Sequence, residues 1–138
     1  MPDGTPTEDR GGAAAVRALL IDLDGAVPDQ PEVQRRLAAG TMTRIDARDL
    51  AARLRIVASR GALADLRGRI ERAFPLADGP PPLIFYGSGD FHHLAALFLS
   101  ALSGLLVVLH IDNHPDWTTF PATWNCGSWV NRALELPG

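Results

Sequence analysis

The sequence contains no lysine: all 13 of its basic residues are arginine. It has a single cysteine, Cys126, so no internal disulfide can form. That excludes a disulfide-stapled scaffold and leads us to expect a reducing, cytoplasmic setting. No block of like charge exists, and a net charge of -3 is too mild to imply a nucleic-acid or membrane-surface partner. The N-terminal residues include Asp3, Glu8 and Asp9, with no basic segment leading into an apolar run, which argues against a signal peptide. No apolar run reaches the roughly 20 residues of a membrane helix. The most apolar stretch, Leu94 to Leu109, is broken by Ser100, Ser103 and Gly104.

What is present suits one domain. The chain has 138 residues, 46% of them hydrophobic, enough for a core. Residues 1–14 are rich in Gly, Pro, Thr and charge and read as a flexible tail, leaving 15–138 as an α/β domain. The run from Val16 to Ile21, followed by Asp22, Leu23, Asp24 and Gly25, reads as a core strand with acidic groups at its C-terminal end. A short helix is expected around Pro31 to Ala39, stopped by Gly40. Asp46 to Val57 fits helix or strand. Leu63, Leu66, Ile70 and Phe74 fall at helical spacing and predict a helix over 62–74, ended by Pro75. After a stiff connector at 78–82, Leu83 to Tyr86 reads as a second buried strand, Phe91 to Ser103 as helix, and Leu105 to Ile111 as a third buried strand. Apolar strands alternating with helices predict a parallel sheet covered on both faces, with its sites at the C-terminal ends of the strands.

Candidate chemistry gathers at those ends. All four histidines lie between positions 92 and 114, alongside Asp90 and Asp112, with Asp116 just beyond. Asp112, His114 and Asp116 stand two apart, and in extended chain alternate residues share a side, so two carboxylates and an imidazole can converge. Mixed oxygen and nitrogen donors suit Mn, Fe, Zn or a related divalent ion. His110, inside an apolar run, is read as a core residue. Trp117, Trp124 and Trp129 are read as filling core around a loop, with a pocket for a cation or planar group as the alternative.

The segment Asp112-Asn113-His114-Pro115-Asp116 resembles the Asp-Ala-His-x-Asp metal motif of the arginase, agmatinase and formiminoglutamase family. Gly87-Ser88-Gly89-Asp90-Phe91-His92-His93 resembles that family's Gly-Gly-Asp-His segment, and residues 125–135 its Ser-His-Gly-Thr segment. The likeness covers roughly residues 83 to 135. It implies a three-layer α/β/α fold of the arginase and deacetylase type and a binuclear manganese site. It also implies hydrolysis of a C–N bond, guanidino or amide-type, in a small-molecule substrate by a metal-bound hydroxide. It assigns Asp112, His114 and Asp116 to the metal, with Asp116 also catalytic. The upstream ligand is expected to be His93, with His92 as the alternative because Phe91 shifts the register. Asp90 would orient an imidazole. Cys126 stands where the family carries a proton-transfer histidine and is taken as the second catalytic candidate. The family's second Asp-x-Asp has no counterpart after Asp116, where Glu135 is the remaining acidic residue. The chain is therefore expected to be a truncated or split form, completed by a missing C-terminal half or by homo-oligomerisation.

Two other readings stand beside this one. Asp22-Leu23-Asp24-Gly25 resembles the first motif of haloacid-dehalogenase phosphatases, with Asp22 as nucleophile and Asp24 as acid/base. Here Ala26 replaces that motif's Thr or Ser, and the later lysine is missing. The third reading is a non-catalytic, degenerate fragment.

Overall fold

Ala18-Leu19-Leu20-Ile21 has no polar face, and a strand of that kind is stable only when covered on both sides. The computed structural model, which describes residues 16–119 and 123–137, places it at the centre of a sheet. β1 (Ala18–Asp22) is buried along its whole length. It is flanked by two parallel neighbours, β2 (Thr43–Asp46) and β4 (Leu83–Tyr86), in the order β2-β1-β4. Register pairs Ile21 with Ile45 on one side and with Tyr86 on the other. A second, antiparallel pair joins β3 (Val57–Ala58) to β5 (Trp124–Asn125), matching Val57 with Asn125. The protein is thus mixed α/β with a small parallel sheet.

Alternation along β1 divides the core. Leu19, Ile21 and Leu23 join the larger cluster, with Leu50, Leu54, Leu66, Ile70, Phe91 and Leu94. Ala18 and Leu20 face the smaller one, with Val33 and Met42. Val33 belongs to α1 (Pro31–Ala38), which begins on proline and ends in a turn where Gly40 takes φ 67°. α2 (Ala51–Leu54) is one turn long. α3 (Arg60–Ala73) starts two residues before the expected helix, because Ser59 caps it by accepting from the Ala62 amide at 3.3 Å. Its buried stripe is Ala62, Leu63, Leu66 and Ile70; three of these belong to the apolar set read from the sequence, whose fourth member, Phe74, is the C-cap residue just past the helix.

A 3-10 turn, Gly89–Leu94, leads into α4 (Ala95–Leu99). This helix stops short of Ser103. Ser100 turns its hydroxyl back onto the Leu97 carbonyl at 2.6 Å, and Gly104 takes φ 89°. α5 (Trp129–Leu134) closes the chain after a 3-10 turn at Cys126–Ser128. The 1–14 tail lies outside the described residues. No described helix is long and apolar enough to cross a membrane.

One expectation is corrected. Leu105 to Ile111 forms no ladder among the described residues. Its odd-numbered side chains, Leu105, Val107, Leu109 and Ile111, are 83–95% exposed, whereas His110 is partly buried. The segment is apolar on both faces, and no described element covers the outer one, so its strand propensity has nothing to act on. Replacing Val107 and Leu109 by threonine should lower binding of a hydrophobic dye to the chain. It should also leave stability within about 0.5 kcal/mol, because neither side chain is packed. Dye fluorescence and a urea melt check both parts.

Candidate metal centre

Gly87 ends β4 with φ 44°, a conformation that suits glycine, and turns the chain into the Gly89–Leu94 3-10 turn. Residues three apart eclipse on such a turn. Phe91 and Leu94 occupy the core side, 1% and 0% exposed. His92 lines a cleft, while His93 is fully buried.

The cleft has a volume of about 620 Å³, and its walls include Ile56, His92, Asp112, Asp116 and Cys126. His92 Nδ1 lies 2.5 Å from the Gly89 carbonyl, which can only accept, so Nδ1 carries a proton, while Nε2 faces the Cys126 carbonyl at 3.3 Å. His92 Nε2 lies 3.1 Å from Asp116 Oδ2. Asp112, Asp116 and His92 each present one donor atom, all within 4.8 Å of one another. Asp116 is 4% exposed and sits at φ 52°, which aspartate tolerates better than most residues. Trp129 Nε1 donates to the same Oδ2 at 2.9 Å, which fixes the carboxylate. Asp112 Oδ1 accepts from the His114 amide at 3.1 Å. That bond holds its carboxyl below the usual range, with help from the Asn113 amide and the nearby His92 and His110 and against partial desolvation.

The other expected residues are placed differently. His93, preferred over His92 from the sequence, is not at the carboxylates. Its Nδ1 lies 3.2 Å from Cys126 Sγ, and its Nε2 is buried without a hydrogen-bond partner among the described residues. His114 is also outside the cluster: its side chain is 79% exposed, with Nδ1 3.5 Å from Asp112 Oδ1. The cause is the turn closed by the Asp112 carboxylate, which breaks the two-residue alternation that extended chain would give. Asp90 orients no imidazole, because its carboxylate is held by Arg55 at 2.6 Å. The Gly89 carbonyl does that for His92.

His110, read as core, approaches the cluster instead, with Nε2 3.5 Å from Asp116 Oδ2 and 3.7 Å from Asp112 Oδ2. Its ring stands edge-on to Trp129, centroids 4.9 Å apart. The two-residue step from His110 to Asp112 was the available signal. Cys126 lines the cleft but aims its thiol at His93 and, at 3.5 Å, at the Asp90 carbonyl. Burial pushes that thiol's pKa up. Trp124 donates to the His93 carbonyl at 2.9 Å, and Trp117 is exposed.

Ile56 carries the local strain. It lies at φ 61°, unusual for a β-branched residue, while its amide donates to the Asp90 carbonyl and its carbonyl accepts from Cys126. Those two bonds tie the turn bearing His92 to the segment bearing Cys126.

The remaining acidic pair is committed elsewhere. Asp22 is 1% exposed, with Oδ1 accepting from Gly25 at 3.0 Å and Oδ2 paired to Arg44 at 2.6 Å. Asp24 accepts from the Ser88 and Ala26 amides.

The donor set fits a divalent cation. Ion-to-ligand distances of about 2.0–2.2 Å place donor atoms roughly 3–4.3 Å apart, so small side-chain rotations suffice to close this cluster. Two carboxylates and an imidazole favour Mn, Zn, Fe or a similar ion over thiophilic ones. No family model matches the chain, and neither does any curated protein or solved structure.

Proposed function

We propose that His92, Asp112 and Asp116 hold a divalent cation, with manganese the expected ion. The chain then carries part of an arginase-like, three-layer metal-dependent hydrolase acting on a guanidino or amide-type C–N bond of a small molecule. The observation that carries this reading is the convergence of those three donor atoms within 4.8 Å at the wall of an open cleft. A bound cation supplies Lewis acidity and lowers the pKa of water.

The protein's own groups have separable tasks. Gly89 fixes the His92 tautomer so that Nε2 faces the cleft. Trp129 holds Asp116 in one orientation, as an outer partner does for a ligating carboxylate. Cys126, at the cleft wall, contacts the buried His93 behind it, and the two form a pair able to pass a proton between Sγ and Nδ1. The phosphatase reading has less support, because a nucleophilic Asp22 would have to be exposed and free of its arginine.

The test is calorimetric titration of the metal-free chain with Mn²⁺. Wild type should bind, and Asp112→Ala should bind at least about 100-fold more weakly, since loss of an outer partner alone costs 10–100-fold. Asp112 is chosen because it packs in no core. Equal affinity for the two proteins would defeat the proposal. Metal binding without turnover of any guanidino or amide substrate would favour the non-catalytic alternative.

A further inference from the structure

A second cleft, of about 390 Å³, lies between α3 and α5. Arg60, Arg67 and Arg132 line it, with Trp124, Leu63 and Leu136 among its apolar walls. Arg35, Arg36, Arg44, Arg48, Arg53, Arg55 and Arg69 each pair with an aspartate or glutamate outside this cleft. Arg60 and Arg67 have no carboxylate partner among the described residues. Arg67 reaches only the Ser100 hydroxyl, at 2.8 Å. Arg132 pairs with Glu135 at 3.1 Å, the one acidic residue lining the cleft. Three cations against one anion leave the cleft positive. Arg60 also occupies the first turn of α3, where no acidic residue offsets the positive end of the helix. An anion seated here would relieve both costs.

We infer that this cleft is a binding site for a small organic anion: a compact oxyanion held by the guanidinium groups, on a flat or apolar body laid against Trp124 and Leu63. Arginine forks match carboxylate and phosphate oxygens in pairs, and an aromatic wall accepts a planar group. The site stands apart from the carboxylate cluster. It involves none of those side chains and needs no cation.

Trp124 supplies the reporter. Its Nε1–H donates to the His93 carbonyl, so its indole resonance is distinct and is assigned by its loss in Trp124→Phe. The chain is titrated in the presence of a chelator with phenyl phosphate, with benzoate, and with benzyl alcohol as the uncharged control. Either anion should shift the Trp124 indole signal saturably in the millimolar range or below. Arg60→Ala and Arg132→Ala, whose spectra report retained folding, should each weaken binding about tenfold. Tighter phenyl phosphate would identify a phosphate ester as the ligand class, and tighter benzoate a carboxylate. No saturable shift, equal binding of benzyl alcohol, or indifference to both arginine variants would overturn the assignment.

Discussion

Gly87→Ala should destabilise the fold by about 2–5 kcal/mol and should weaken the proposed metal centre as well. A Cβ at this position would lie 2.5 Å from Phe91 Cδ2, and 3.1 and 3.2 Å from two further ring atoms. The obstacle is not the free end of a flexible chain. Phe91 is 1% exposed and belongs to the main core, so its ring can yield only by displacing neighbours. Overpacking of that kind costs roughly 1–3 kcal/mol, and the left-handed backbone adds about 1–2 kcal/mol for a residue with a Cβ. Phe91 precedes His92, so any relaxation of the ring moves the imidazole relative to Asp112 and Asp116. Urea midpoints give the stability loss, and Mn²⁺ titration of the folded fraction gives the second effect. Phe91→Leu in the Gly87→Ala background should recover part of the stability by removing the clashing ring. A single variant within about 0.5 kcal/mol of wild type would show that the turn has room, contrary to the geometry.

What could be read from the sequence was whatever local pattern determines. The all-apolar run of β1 needed cover on both faces and received it. The stripe Leu63, Leu66 and Ile70 specified α3, because a 3.6-residue period has one interpretation. Leu83–Tyr86 was legible as a strand from its apolar run, but it is an edge strand that is only partly buried, with Leu83 exposed, so the expected burial is corrected. Leu105 to Ile111 carried an equally strong strand pattern and still forms no ladder among the described residues, since pairing depends on a neighbour that the segment itself does not encode. The site divides in the same way. Asp112 and Asp116 were identifiable from spacing. The choice between His92 and His93 rested on which one the core would claim, and that is set by tertiary packing that local spacing does not encode. His114 lines the same cleft, with Nδ1 3.5 Å from Asp112 Oδ1, but the turn closed by the Asp112 carboxylate replaces the extended chain that the spacing assumed. His110 was assigned to the core because its flanking residues are apolar, yet those neighbours are exposed. The partners of Asp22 and Asp116, Arg44 and Trp129, come from distant positions that only the folded chain brings near.

His93 gives the second large expectation, in the pH dependence of stability. Burial is the main cause of its lowered pKa, about 4 against an ordinary 6.5; the nearby His92 adds to the shift, and the Leu54 backbone, which makes no geometrically sound hydrogen bond to the ring, opposes it. Its surroundings are the Cys126 thiol at 3.2 Å and the His92 ring, with centroids 6.3 Å apart. Between pH 6.5 and 4 the unfolded chain therefore binds a proton at this residue that the folded chain refuses. Stability from this source is complete above about pH 6.5 and declines as the pH falls toward 4, by about 3 kcal/mol over the whole window. A cation on His92 would push in the same direction, so the metal-free chain gives the smaller, cleaner effect. The carboxylates of Asp46, Asp49 and Asp112, all held below their ordinary range, titrate beneath this window and do not confuse it. Urea unfolding at pH 7.5 and pH 4.5 should show the loss in wild type. His93→Leu removes the titrating group and fills the site with an apolar side chain, so it should flatten the dependence. If both proteins lose the same stability on acidification, the burial of a neutral imidazole is not its cause.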